Sequence, residues 1–174
     1  IIIRANNESY RIPLIDFILE NYEPENPSAD LLPFIEKDEF YILVIPMDEE
    51  TPPGRYLRPQ AMTEEYITRH WAYPVSFRLD LASARGTSPE NERDRFLALV
   101  KGLSKKPRCI ITDSQAMDVM YRWCPDDVEL TTFSIVMINY MSGGRLSAFV
   151  RGISALDTLK SGDSILISEA CNHS

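Results

Sequence analysis

Phosphate-cradling loops, closely paired cysteines and long apolar runs are all missing from this sequence. No G-x-x-x-x-G-K-[ST] occurs, so the chain has no P-loop to wrap the phosphates of a nucleotide. No G-x-S-x-G occurs, and the two histidines present do not assemble a Ser/His/Asp set. Independent catalysis therefore has no visible machinery, and the chain is not expected to be catalytic alone. No apolar stretch approaches the roughly 18–20 residues of a membrane span. The start, Ile1-Ile2-Ile3-Arg4, carries neither a Met nor a signal-peptide layout. Cys109, Cys124 and Cys171 are an odd, widely spaced set, poor material for a disulfide framework. A reducing, cytoplasmic compartment is the expectation.

Bases are scarce in one region. Residues 20–50 hold ten acids against Lys37 alone, while the rest of the chain is close to neutral within a net charge of −8. That distribution argues against nucleic acid or an anionic membrane as the main partner. Its simplest reading is a solvated linker and loop face.

What is present is an alternation of strand-like and helix-like segments. Ile1 to Ile3 read as the end of a strand, and Ile12, Leu14, Ile15, Ile18 and Leu19 recur at helical spacing. Glu23-Pro24-Glu25-Asn26-Pro27-Ser28 has linker composition. Phe40 to Ile45 form an apolar strand, followed by a loop from Pro46 to Pro59 that holds four prolines. Residues 60–71 carry Met62, Tyr66, Ile67 and Trp71 at helical spacing, and Val75 to Leu79 alternate as a half-buried strand does. Ser88-Pro89-Glu90 starts a helix with Phe96, Leu97, Val100 and Leu103 on one face. Cys109 to Thr112 read as a buried strand. Asp113 or Ser114 caps a helix carrying Met117, Val119, Met120 and Trp123, and Val128 to Phe133 are strand-like. The pattern predicts an α/β fold: a parallel sheet of βαβ units with right-handed crossovers, flanked by helices. Apolar residues 133–141, the breaker Gly143-Gly144, a helix over 145–159 and a final strand, Ser164 to Ser168, follow as the beginning of a second α/β domain.

The chemistry-bearing residues are few. Cys171 and His173 stand two apart, just past the final strand, where open α/β sheets place ligands. A thiolate beside an imidazole suits zinc or an iron–sulfur centre, but two donors are not four. A free thiol at a frayed chain end is the plainer alternative. Cys109 and Cys124 read as small buried apolar residues, and His70 as a helix-end residue facing the dipole. Thr112-Asp113-Ser114-Gln115 opens a helix and offers amides to an anion, or simply caps it. Arg55, in Pro53-Gly54-Arg55, faces a phosphate or carboxylate, or sits on a stiffened surface loop.

Three segments together resemble the HydF family, the GTPase scaffold that matures [FeFe]-hydrogenase. Ile45-Pro46-Met47-Asp48 with Pro53-Gly54-Arg55 and Pro59-Gln60 resembles its first signature. Ile111-Thr112-Asp113-Ser114-Gln115-Ala116 resembles the second. Ser154 to Asp163, leading into Ile167-Ser168-Glu169-Ala170-Cys171-Asn172-His173, resembles the third. The resemblance implies that the sequence is an internal piece of a longer protein. Residues 1–22 would end a GTPase domain, 23–36 form a linker, 37–131 a dimerisation domain, and 132–174 the N-terminal part of an iron–sulfur cluster-binding domain. It implies a [4Fe–4S] cluster held by Cys171 and by two cysteines of a later motif, with His173 a candidate ligand. GTP would bind in the parent only. It also implies a homodimer whose partners are the [FeFe]-hydrogenase and the radical-SAM maturases. A plain α/β dimerisation module with no metal role is the alternative.

Overall fold

The computed structural model describes residues 8–21, 30–47, 54, 56–86 and 89–165. Four strands, β1 (Phe40–Pro46), β2 (Tyr73–Leu79), β3 (Cys109–Thr112) and β4 (Glu129–Thr132), form one parallel sheet in the order β2-β1-β3-β4. The helices are α1 (Arg11–Asn21), α2 (Arg58–Arg69), α3 (Leu81–Arg85), α4 (Pro89–Gly102), α5 (Met117–Trp123), α6 (Phe133–Met141) and α7 (Leu146–Ile153). The fold is α/β, as the alternation of segments predicts.

Strand order follows from chain direction. The chain steps from β1 outward to β2 through α2, then returns past β1 to β3 and on to β4. Crossovers of constant hand put helices on opposite faces when the direction reverses. Accordingly α3, α4 and α5 cover one face, where Ala84, Phe96, Val119, Met120 and Trp123 meet Ile42, Val44, Phe77, Leu79 and Ile110. On the other face, Ile67 of α2 and Phe133 and Val136 of α6 pack with Tyr41, Leu43, Ile45, Cys109 and Ile111. Central β1 is buried from Tyr41 to Pro46, because both its faces are covered. Leu31 and Leu32 are buried in the second cluster, and Tyr41 ties that segment down by donating to the Phe34 carbonyl at 3.1 Å.

Several local expectations meet the structure directly. α4 runs from Pro89 and packs Phe96 edge-on against Phe77 at 5.4 Å, with Leu97, Val100 and Leu103 alongside; its Ser88 cap lies outside the described residues. Gly143 and Gly144 end α6 with φ of 64° and 80°, and the Gly144 amide reaches the Asn139 carbonyl at 2.8 Å. Thr132 both ends β4 and caps α6, its hydroxyl accepting from the Ile135 amide at 3.1 Å.

Others are corrected. Trp71 is not in the helix: α2 ends at Arg69, and Trp71 takes φ of 60° in the turn to β2. The segment 145–159 is not one α-helix, since α7 gives way at Ser154 to a 3-10 turn reaching Thr158. Phe133 opens α6 and does not belong to β4. The expected strand at 1–3 and the body of the one at 164–168 lie outside the described residues.

Candidate functional site

In an open parallel sheet, ligand-binding crevices form past the carboxyl ends of the strands, where the winding direction reverses. Here the reversal falls between β1 and β3. Two segments singled out by sequence meet there. Gln60, in the first turn of α2, is buried at 1% exposure. Its side-chain oxygen accepts from the Leu57 amide at 3.0 Å, and its Nε2 donates to Asp113 Oδ2 at 2.9 Å. Residues 53 apart in sequence are thus joined across the crevice.

Asp113 sits at the cap position before the 3-10 turn Ser114–Ala116, yet its side chain makes no capping bond; its backbone carbonyl accepts from the Ala116 amide at 2.9 Å. The capping expectation therefore holds for the backbone and fails for the carboxylate, which turns to Gln60. Beyond it, Ser114 and Ser134 share a hydrogen bond of 2.9 Å, linking the loop to α6. The Arg85 guanidinium donates to the Gln115 carbonyl and pairs with Asp118 at 2.8 Å, holding that carboxyl below its usual pKa.

At the end of β2, Asp80 caps α3: its carboxylate accepts from the Ser83 amide at 3.0 Å and the Ser83 hydroxyl at 2.9 Å, which lowers its pKa. The Asp80 amide donates to Glu92, a nearly buried carboxylate paired with Arg95. A cavity of about 230 Å³ lies beside it, lined by Pro46, Met47, Arg78, Leu79, Asp80, Leu81 and Ala82. That is smaller than an ordinary small-molecule pocket of roughly 300–1,000 Å³. None of these groups forms a nucleophile–base pair.

The metal-ligand candidates divide cleanly. Cys171 and His173 lie outside the described residues, as does Arg55. Cys109 is buried in β3, and burial, reinforced by Glu129, pushes its thiol up to about 12. Cys124 is half-buried, its thiol raised mainly by burial. Burial thus disfavours the thiolate at both positions, in keeping with their apolar reading. His70 caps α2, with Nδ1 2.7 Å from the Tyr66 carbonyl and its ring 4.0 Å from that of Tyr66. Among the described residues no three His, Cys, Asp or Glu side chains cluster as a metal site would require. The sequence pointed to both partners of the Gln60–Asp113 bond but not to their contact, since a long-range pairing leaves no spacing signal.

The Gln60–Asp113 joint is thus built from two of the segments that carried the family resemblance. Comparison with known families gives two matches. Residues 31–142 match the hydrogen maturase F dimerization domain, and residues 147–174 match its tetramerization domain. No curated protein matches the chain. The first match alone spans the whole described sheet and well over half of the sequence: this chain belongs to the HydF family of hydrogenase maturation proteins.

Proposed function

We propose that the chain acts as part of a scaffold that carries the diiron precursor of the [FeFe]-hydrogenase active site. It would supply the assembly interface and one cysteine of a [4Fe–4S] cluster. The match to two oligomerization domains of one maturation family carries this reading. The hydrogenase and the radical-SAM maturases would be its partners, and GTP would act in the parent's nucleotide-binding domain.

The donor chemistry supports Cys171 as the ligand, with His173 second. A thiolate and an imidazole suit iron–sulfur and zinc centres, and the set needs two further donors to close a four-ligand site. Cys109 does not offer one of them, because it is buried within the apolar cluster on one face of the sheet. The chain's own contribution is therefore one soft donor, carried on the same chain as the oligomerization domains.

Replacing Cys171 by Ala in the complete protein tests this. After anaerobic reconstitution, bound iron and sulfide are expected to fall to a small fraction of wild type, with the iron–sulfur absorption band lost and the oligomer mass unchanged. Unaltered iron and sulfide would overturn the ligand assignment.

A further inference from the structure

The family match assigns dimerization to residues 31–142 without saying which surface performs it. We propose that the outer face of α6, formed by Ile135, Ile138 and Met141, is the apolar centre of a two-fold contact between two copies of this chain. The proposal rests on the dimerization reading and adds its location.

Helix α6, Phe-Ser-Ile-Val-Met-Ile-Asn-Tyr-Met, contains no charged residue. Its inner side, Phe133 and Val136, is buried against the sheet. Ile135, Ile138 and Met141 recur every third residue on the opposite side, with exposures of 39%, 41% and 73%. A helix that covers a sheet ordinarily turns a polar face outward. The other long covering helices do so: α2 exposes Glu65 and Arg69, and α4 exposes Arg93 and Asp94. The shorter α5 exposes Asp118 and Arg122. Within the dimerization match, α6 alone among these covering helices exposes no charged residue.

The family match names the occupant, a second copy of this chain. In a two-fold contact each patch meets a copy of itself, so any charge on it faces its own sign, and an uncharged apolar stripe avoids that repulsion. The stripe also lies at the very end of the matched domain, Met141 preceding its last residue by one. Three side chains supply an interface centre, and polar neighbours such as Ser134 and Asn139 fall at its rim.

Ile138→Asp in the complete protein tests the surface by light scattering and sedimentation. It is expected to reduce the number of subunits in the assembly and to raise the dimer dissociation constant by about 30-fold or more. Asp94→Lys on α4 is expected to leave the mass unchanged. Ile138→Cys provides a second reading that does not depend on tolerating a charge: mild oxidation is expected to yield a cross-linked dimer, reversed by reductant and absent from wild type. An unchanged mass for Ile138→Asp together with no cross-link for Ile138→Cys overturns the assignment. A wild-type protein that stays monomeric overturns the dimer itself and this surface with it. Iron and sulfide content is untouched in every arm, so failure here is distinct from failure of the cluster assignment.

Discussion

Gln60 shows how one buried polar side chain can hold two loops together. Its carboxamide uses the oxygen for the Leu57 amide and the nitrogen for Asp113, so the turns after β1 and β3 are tied through a single residue. The cost of losing a buried hydrogen bond lies mostly in the partners left behind, roughly 1–3 kcal/mol. Gln60→Leu keeps volume and apolar contact but removes both bonds. It is expected to lower the unfolding free energy by about 1–3 kcal/mol in denaturant melts, with the slope of the transition unchanged. A loss below about 0.5 kcal/mol, the range of an ordinary surface substitution, would show that the joint is not under strain-free hydrogen-bonded control. Trp71 is the contrary case: a bulky residue, 75% exposed, at φ of 60°, the left-handed position that lets its amide reach the Thr68 carbonyl at 3.1 Å and the Ala72 amide reach the Ile67 carbonyl at 3.2 Å, closing α2.

At the scale of elements, apolar patterning made most of the sheet readable. Phe40 to Ile45 and Cys109 to Thr112 are runs too short and too apolar for amphipathic helices, and both are buried parallel strands. The Pro89 start and the Phe96 face fixed α4 for the same reason. Legibility failed where one residue serves two elements. Thr132 closes β4 and caps α6, leaving no turn residues between them, so the strand-like run carried on into Phe133. The apolar stretch 133–141 lacked a polar face to set its period, which is the property that gives α6 its exposed stripe. The site was legible as motifs but not as geometry, because strand order decides which loops meet. If Thr132 caps α6 as the 3.1 Å bond indicates, Thr132→Ala should cost about 1 kcal/mol in stability, while Thr132→Ser retains most of it. Equal losses for Ala and Ser would assign the effect to the lost methyl group and not to the cap.

The whole molecule is expected to be most stable over a bounded range of pH, and different residues set the two limits. On the acid side, the Ser83 amide lowers the pKa of Asp80, Arg85 that of Asp118, and Lys106 that of Asp127. A carboxyl lowered by folding contributes stability above its unfolded pKa, near roughly 3.9, and loses it as pH falls through the folded value. On the alkaline side the sign reverses for Cys109, whose thiol burial pushes up to about 12. Between an unfolded value near roughly 8.5 and that figure, only the folded chain keeps the proton, so stability falls by about 1.4 kcal/mol per pH unit. The melting temperature should therefore be nearly flat from about pH 5 to 8 and decline outside it. Cys109→Ala should lower the whole curve through the small cavity it leaves, yet decline less steeply between about pH 9 and 11 than wild type. The substitution leaves the lysine ion pairs to Glu39 and Asp127 in place, so the difference in slope isolates the thiol. Parallel alkaline limbs would mean that Cys109 ionises as readily folded as unfolded. That outcome would contradict its burial in the sheet and reopen it as a candidate ligand beside Cys171.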